Sequence, residues 1–369
     1  MAEFPGFEDA APRPPERDRS RGRGALSNRV GRFEAVEREA AHDGWDLPED
    51  APPTRTQVLL DRSKKVIVKQ TSPDIPFDRS INPYRGCEHG CVYCFARPTH
   101  AWLGLSPGLD FETKIALKPD APARLEEELR AKSYACKPIA IGTNTDPYQP
   151  LEKERRIMRG LLEVLQAHRH PVTIVTKGAL VVRDADILGE MGRAGLARVA
   201  VSLTTLDHRL SRAMEPRAAS PQQRLRAIAT LNKAGCPTGT LVAPIVPALT
   251  DHEIERLLEA VSGAGAAFAG YVLLRLPLEV RELFEEWLRA HVPDRADRVL
   301  GRVRELRGGK LNDARFGTRM SGQGVWADLI RRRFRTASKR LGLTEERAAL
   351  RCDLFRLPER PGDQLSLGF

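Results

Sequence analysis

Three closely spaced cysteines are the feature of the sequence that most directly indicates chemistry. Cys87, Cys91 and Cys94 lie within eight residues of a chain that has six cysteines in total. Thiolates are soft ligands for zinc ions and iron–sulfur clusters, so this spacing predicts a metal site. A closed zinc site would need a fourth ligand, for which His89 and His100 are the candidates. Disulfides are disfavoured because such frameworks are typical of short secreted chains, and this chain has 369 residues.

The residues around the cysteines carry a family resemblance. The motif is Cys-x3-Cys-x2-Cys with Tyr93 before the last cysteine, and it follows Ser-Ile-Asn-Pro-Tyr-Arg-Gly at 80–86. The segment at 95–109, which begins Phe-Ala-Arg-Pro-Thr-His, comes directly after it. Together these segments resemble the radical S-adenosylmethionine (radical SAM) superfamily. Within it they resemble the bacterial spore photoproduct lyase-like proteins that are often labelled DNA repair photolyases. The resemblance runs from about Asn28 to Arg335 and continues in the tail.

The resemblance implies an iron–sulfur cofactor and a radical reaction. The three cysteines would hold three irons of one 4Fe–4S cluster, and the fourth iron would bind the amino and carboxylate groups of SAM. An electron donor such as flavodoxin or ferredoxin would reduce the cluster, and the carbon–sulfur bond of SAM would then break. The 5′-deoxyadenosyl radical would abstract a hydrogen atom from the substrate. In such enzymes the cofactor supplies the reactivity, and the protein supplies position and exclusion of water.

The resemblance also implies which residues contact SAM. The segment Asn144, Thr145 and Asp146 would bind the amino group. Lys177, a cation directed into the barrel mouth, would bind the carboxylate. Ser202 would hydrogen-bond the same methionine moiety, and Tyr93 would contact the adenine through backbone groups.

The elements that position these residues alternate between short apolar strands and amphipathic helices. Strands are predicted at 81–84, 138–142, 171–176, 197–203, 238–245 and 270–276, with intervening helices at 123–133, 152–168, 184–194, 222–234 and 251–262. Six strands that alternate with helices predict a parallel sheet with right-handed crossovers. Periodicity does not separate an open doubly wound sheet from a curved one. The resemblance implies a partial (β/α)6 TIM-like barrel of the radical SAM type, followed by C-terminal helices at 277–291, 298–306 and 327–341.

Composition divides the chain into four regions. Residues 1–50 are rich in proline and arginine and predict a disordered tail, of which 28–34 is expected to dock on the core. Residues 60–290 form the predicted radical SAM core and 291–345 a helical extension. Residues 346–369 are predicted to be a flexible tail.

The carboxyl ends of the predicted strands carry polar side chains. In parallel α/β folds ligands bind at these ends, so we expect the segments 143–150, 176–177 and 202–205, together with Arg275, to line one mouth. Ordinary turns are the alternative for each segment taken alone.

Charge and hydropathy bound the class of protein. The formal net charge is +10, with 41% hydrophobic and 29% charged residues, which is typical of a globular chain with an anionic partner such as DNA or RNA. An arginine-rich composition without such a partner is the alternative. We expect no membrane span, because no run of 18 apolar residues occurs. We expect no signal peptide, and therefore reduced cysteines in the cytoplasm.

The substrate is less well indicated than the chemistry. An enzyme acting on a nucleic-acid base, in repair or modification, is the leading hypothesis. Radical modification of a protein or small metabolite is one alternative, and a non-enzymatic iron–sulfur sensor that binds nucleic acid is another. The resemblance implies that spore photoproduct lyases use an additional cysteine as hydrogen donor. No cysteine here matches that position, which argues against pyrimidine-dimer reversal.

The last six residues suggest a protein partner. Gln364, Leu367 and Phe369 fit Gln-x-x-Leu-x-Phe, a pattern that resembles the peptides by which bacterial repair proteins bind the DNA sliding clamp. A glutamine at a pocket rim and two apolar anchors suit a peptide in a groove. Chance occurrence and packing of this end on its own barrel are the alternatives.

Overall fold

The computed structural model describes residues 22–34, 55–344 and 349–359. The proposed clamp-binding residues Gln364, Leu367 and Phe369 lie outside the described residues, as does most of the N-terminal tail.

A seven-stranded sheet forms the centre of the structure. The strands of the described residues are β1 Gln57–Leu60, β2 Val68–Lys69, β3 Arg79–Ile81, β4 Tyr84–Arg85, β5 Lys114–Leu117, β6 Ile139–Ile141, β7 Val172–Thr176, β8 Ala197–Ser202, β9 Thr238–Ile245 and β10 Phe268–Leu273. The sheet has the order β10-β9-β8-β7-β6-β3-β2, and all neighbours from β3 to β10 pair in parallel. Strand β2 pairs with β3 in the antiparallel direction. Six parallel strands in chain order confirm the predicted partial (β/α)6 barrel.

Helices cover the outer face of this sheet and extend past its last strand. The helices are α1 Leu109–Thr113, α2 Ala121–Leu129, α3 Glu152–Arg155, α4 Ile157–Ala167, α5 Ala185–Arg193, α6 His208–Met214, α7 Pro221–Lys233, α8 Ile254–Gly263, α9 Val280–His291, α10 Pro293–Leu306 and α11 Val325–Arg340. Helix α4 buries Ile157, Leu161 and Leu165 as its spacing predicts. Helix α7 begins with a capping box between Ser220 and Gln223.

Two predicted elements are interrupted for identifiable physical reasons. The predicted first strand breaks at Pro83, which has no N–H to donate to a ladder, so β3 and β4 belong to different sheets. The predicted helix at 152–168 breaks at Arg156, which has φ 52°. The break allows Glu152, with 0% of its surface exposed, to turn inward and accept a hydrogen bond from Met158 N at 3.1 Å.

The N-terminal segment 22–34 packs against the barrel instead of projecting from it. Ala25 has none of its surface exposed. Asn28 exchanges hydrogen bonds with Asp110, since its amide oxygen accepts from Asp110 N at 2.9 Å and its Nδ2 donates to Oδ1 at 3.2 Å. The predicted docking of 28–34 is therefore seen. Residues 22–27, which were expected in the disordered tail, dock with it.

The segment 349–359 packs at the amino-terminal end of the strands, where the sequence predicts a flexible tail. Arg351 N donates to Gly195 O and Arg356 N to His168 O, both at 3.0 Å. The ring of Phe355 lies 5.7 Å from Tyr134 and 5.5 Å from His170. This face is opposite the predicted chemistry. It also holds Cys136, beside Cys352, and the buried Cys236.

Within the described part of the chain, no helix is both long and apolar enough to cross a bilayer.

Buried His170 predicts a pH-dependent stability. Burial lowers its pKa from 6.5 to about 4. Between pH 4 and pH 6.5, His170 is therefore protonated in the unfolded chain and neutral in the folded chain. This contribution to stability is full above pH 6.5 and is lost as the pH falls toward 4. From pH 7.5 to pH 5.5 we expect a loss of about 1.3 kcal/mol in the free energy of unfolding. Urea titration of wild type and His170→Gln measures it, and an equally large loss in the variant would contradict the assignment.

Candidate active site

The backbone of the cysteine loop is held by one buried arginine. Arg97 has 0% of its surface exposed and donates from Nε to Cys91 O at 2.9 Å and from Nη2 to Gly90 O at 3.1 Å. Its Nη1 donates to Gly108 O at 3.0 Å, and Nη2 also pairs with the buried carboxylate of Glu112. A loop that curves around a metal site leaves its carbonyls without ladder partners. Arg97 supplies the missing donors and so fixes the loop.

The three cysteine thiols lie close together inside this loop. All three are free; Cys87 and Cys91 are buried and Cys94 is partly buried. Burial raises the pKa of Cys91 to about 12, and the charges of Glu215 and Cys94 add to this effect. Burial also raises the pKa of Cys87, together with the charges of Asp146, Cys91 and Cys94. Thiols that repel one another as thiolates and are shielded from water ionise readily only on a cationic metal centre, so the donor set fits a bound cluster.

The arrangement of these thiols differs from that of a single-ion site. Among the described residues, no group of three His, Cys, Asp or Glu converges on a position for one metal ion.

Asp146 sits at the carboxyl end of β6 and is held by the next strand. Its Oδ1 accepts from Thr176 Oγ1 at 2.6 Å and its Oδ2 accepts from Lys177 N at 2.6 Å. His89 Nδ1 is 3.3 Å from Oδ2, within ion-pair distance but outside hydrogen-bond geometry. Burial acts to raise the pKa of Asp146, but His89 and these hydrogen bonds lower it to about 2. Asp146 is therefore a carboxylate next to the cysteines.

Lys177 extends across the mouth from the end of β7. Its Nζ donates to Ser202 Oγ at 3.2 Å and to Ala243 O at 3.3 Å, and it lies 5.7 Å from the centroid of the Tyr93 ring. Of the carboxylates in the described residues, none lies within 4 Å of this ammonium group. Lys177 thus presents a positive charge beside the cysteine loop, where an anionic ligand group would complete its pairing.

A second buried carboxylate holds Tyr93. The hydroxyl of Tyr93 donates to Glu215, which also accepts from Thr204 Oγ1 at 2.7 Å and pairs with the buried Arg224. Arg224 Nη1 donates in turn to Ser202 O at 3.1 Å. Burial acts to raise the pKa of Glu215, but Arg224 and Lys177 lower it to about 2. Sequence reasoning missed Glu215 and Arg224. Glu215 directly follows α6 and Arg224 lies within α7, and neither belongs to a short motif.

The residues predicted to contact SAM fall into two groups in the structure, those that support the loop after β6 and those that surround the cysteine loop. Thr145 is buried, and its Oγ1 donates to Tyr84 O at 2.9 Å, so its side chain fixes the loop after β6. Asn144 N donates to Asn82 Oδ1 at 3.0 Å. Tyr93, Asp146, Lys177 and Ser202 instead meet around the cysteine loop.

Glu88, inside the cysteine motif itself, was also missed. Its Oε2 accepts from Leu151 N at 2.6 Å, its Oε1 lies 3.1 Å from Arg217 Nη1, and its own N–H donates to Gln149 Oε1 at 2.9 Å. A glutamate between two of the motif cysteines was the sequence signal that could have pointed to a residue holding this loop.

Fold and site together define a partial β/α barrel with a buried three-cysteine loop at its mouth. The family model described as the radical SAM superfamily matches residues 81–261. An uncharacterized protein of Mycobacterium tuberculosis is 40% identical over 235 residues, which is 63% of this chain and 68% of that protein. An uncharacterized protein of Methanocaldococcus jannaschii is 24% identical over 243 residues, which is 65% of this chain and 86% of that protein.

Solved structures of spore photoproduct lyase share the fold. Spore photoproduct lyase complexed with dinucleoside spore photoproduct superposes with a TM-score of 0.56 at 17% identity, over 78% of this chain and 80% of that chain. The chain belongs to the radical SAM superfamily, and it is a radical SAM enzyme.

The ion pair of Arg97 with Glu112 predicts a large cost when one partner loses its charge. Both side chains have 0% of their surface exposed, so Glu112→Gln leaves a buried guanidinium uncompensated. We expect a loss of about 3–5 kcal/mol in the free energy of unfolding, measured by urea titration. The matched control is Glu255→Gln, whose pair with Arg333 is 28% and 37% exposed and contributes about 1 kcal/mol or less. Equal losses in the two variants would contradict the anchoring role.

Proposed function

We propose that Cys87, Cys91 and Cys94 hold one 4Fe–4S cluster whose fourth iron binds SAM. The observation that carries this proposal is the placement of three free, adjacent thiols in the family motif, in a loop whose backbone is already fixed by Arg97. When bound, the cluster and SAM supply reductive cleavage of the SAM carbon–sulfur bond and a 5′-deoxyadenosyl radical that abstracts hydrogen. A small electron-transfer protein such as flavodoxin or ferredoxin is the electron donor in this proposal.

The protein contributes a matched set of charges for the methionine part of SAM. Lys177 is the cation for the SAM carboxylate, and Asp146 is the acceptor for its amino group. Ser202 and the carbonyl of Ala243 hold the Lys177 ammonium group in place, at 3.2 and 3.3 Å. The loop at 144–145 supports Asp146, and Tyr93 positions the cysteine loop next to the adenine.

A nucleic-acid base is the substrate that these observations favour. The net charge of +10 suits a polyanion. A structure with a shared fold is that of spore photoproduct lyase complexed with dinucleoside spore photoproduct, which makes a nucleic-acid substrate the first to test. Radical modification of a protein or small metabolite, and a cluster-dependent sensor, are the competing functions. The clamp-binding role of 364–369 is a separate proposal, tested by binding of a peptide of residues 358–369 to purified clamp.

The cluster assignment predicts the effect of removing single thiols. After anaerobic reconstitution, Cys87→Ser, Cys91→Ser and Cys94→Ser should each lose the EPR signal of a reduced 4Fe–4S cluster and most of the bound iron. Cys236→Ser is the matched control, because Cys236 is also buried but lies at the opposite end of the barrel. Stoichiometric zinc without a cluster signal in wild type would overturn the assignment.

The charge assignment predicts a loss of cofactor affinity. Replacing the ammonium group in Lys177→Met removes a charge-assisted hydrogen bond to the SAM carboxylate, so SAM should bind about 10- to 150-fold more weakly. Isothermal titration of the cluster-loaded protein measures this. Lys153→Met, at an exposed position on α3, should bind SAM like wild type. Equal affinity in Lys177→Met and wild type would show that another group binds the carboxylate.

Isotope transfer decides the substrate class. With deuterated DNA or RNA, turnover should place deuterium in 5′-deoxyadenosine, because the radical takes its hydrogen from the substrate. Formation of unlabelled 5′-deoxyadenosine with either nucleic acid would favour a protein or metabolite substrate. Tight binding of nucleic acid without 5′-deoxyadenosine would favour the sensor.

A further inference from the structure

An exposed ring and a guanidinium group lie together beside the cysteine loop. Phe95 directly follows Cys94, and 47% of its surface is exposed. The Arg275 Cζ lies 5.5 Å from the centroid of the Phe95 ring. Arg275 is two residues past the end of β10, and the loop residue Val92 packs in one apolar cluster with Leu274. The pair therefore stands at the rim of the barrel mouth, next to the proposed cluster.

Arg275 carries a charge that the described residues do not balance. Its Nε is buried without a hydrogen-bond partner, and its Nη1 donates to the thioether of Met320 at 3.4 Å, which is a weak acceptor. None of the described carboxylates lies within 4 Å of it. Asp74 is close enough to act on its pKa, but Asp74 is paired with Arg319 at 2.6 Å. A partly buried guanidinium without a carboxylate is costly, and an anionic ligand would offset this cost.

The same combination recurs next to this pair. The Arg319 guanidinium lies 4.8 Å from the centroid of the Phe316 ring, which is 58% exposed. Met320, which contacts Arg275, is the neighbour of Arg319 in the chain. Arg319 is already paired with Asp74, so what this second pair adds beside Arg275 is an exposed ring. An exposed ring and an unpaired guanidinium are the groups that stack on a base and bind a phosphate.

We propose that Phe95 and Arg275 form a nucleotide subsite at the barrel mouth, in which a base stacks on Phe95 and a phosphate binds Arg275. Phe316 continues the surface with a second exposed ring for the neighbouring nucleotide. The proposal rests on the nucleic-acid substrate proposed above and names the residues that hold it. Phe95 and Arg275 act as positioning residues, because they place the strand beside the cluster.

Salt-dependent binding separates the two contacts. The probe is a short fluorescein-labelled oligothymidylate, titrated anaerobically into cluster-loaded protein at several salt concentrations. Phe95→Leu keeps apolar bulk but removes the stacking face, so affinity should fall about 5- to 150-fold with an unchanged salt slope. Arg275→Gln removes one phosphate contact, so the slope of log affinity against log salt should flatten by about 0.7.

Two further variants serve as controls for the charge and the position of Arg275. Arg275→Lys keeps the charge but not the planar fork, so it should keep the slope and lose affinity. Arg79→Gln alters a guanidinium that lies 5.0 Å from the Tyr134 ring at the other end of the barrel, and it should change neither the slope nor the affinity. A folding defect does not alter the salt slope of the protein that remains folded, so the slope reports the contact itself.

The outcomes separate this inference from the proposed function. An unchanged slope in Arg275→Gln, or unchanged affinity in Phe95→Leu, would overturn the subsite while wild type still releases 5′-deoxyadenosine. Wild type that binds an acidic peptide but not the oligothymidylate would overturn it as well. Failure of wild type to cleave SAM would instead overturn the proposed function.

Discussion

The geometry of the cysteine loop depends on the buried ion pair between Arg97 and Glu112. Arg97 donates to the carbonyls of Gly90 and Cys91, while Glu112 accepts from the N–H groups of Gly24 at 2.9 Å and Ala25 at 2.8 Å. Gly90 has φ 68°, and a Cβ added there would lie 2.6 Å from Glu112 Oε2. A Cβ on Gly24 would lie 1.7 Å from Gly90 O. Loop, glutamate and N-terminal segment therefore interlock with no room for a side chain at either glycine.

Charge at the mouth is organised around two buried carboxylates. Asp146 is stabilised by His89 and by the hydrogen bonds from Thr176 and Lys177 N, and Glu215 is stabilised by Arg224. Each carboxylate keeps a low pKa, near 2, in spite of its burial. Because each carboxylate has closer partners, neither forms an ion pair with the Lys177 ammonium group within 4 Å, and this group stays available for a ligand. Without Arg224, Glu215 would pair with Lys177, and the mouth would then have no unpaired ammonium group at this position.

The sequence predicts the elements and the strand ends better than the contacts across them. The alternation of strands and helices follows from period and length, so α5 and α7 are predicted within one residue of their observed bounds. Cys87, Cys91 and Cys94 stand out in the sequence because a metal site would need several soft ligands in a short span, and their role as ligands stays a prediction. Glu112 and Glu215 are not predicted, because their pairing with Arg97 and Arg224 exists only after the chain has folded and buried both partners. From sequence alone, a charged residue is predicted to lie on the protein surface unless its ion-pair partner is known.

The same limit explains why the two ends of the chain differ from expectation. Proline- and arginine-rich composition predicts disorder for the N-terminal region, but Ala25 is buried because Glu112 offers two acceptor oxygens to its backbone and that of Gly24. Near the other end, Phe355 packs among Tyr134 and two histidines, which no local pattern around it indicates. Composition measures how much a segment can bury by itself, whereas docking depends on what the rest of the fold leaves open.

In the proposed function, Lys177 and Arg275 mark a cofactor side and a substrate side of the mouth; among the described residues, neither has a carboxylate within 4 Å. Lys177 follows β7 and Arg275 follows β10, so three strand spacings, about 14 Å along the sheet, separate them. The cysteine loop lies between them, since Lys177 acts on the pKa of Cys91 and Phe95 adjoins Cys94. In the proposed function, Lys177 would hold the SAM carboxylate on one side of the cysteine loop, and Phe95 and Arg275 would hold a nucleotide on the other. A reactive radical has to reach its substrate without contact with solvent. In this arrangement SAM and the nucleotide would bind next to each other at the mouth.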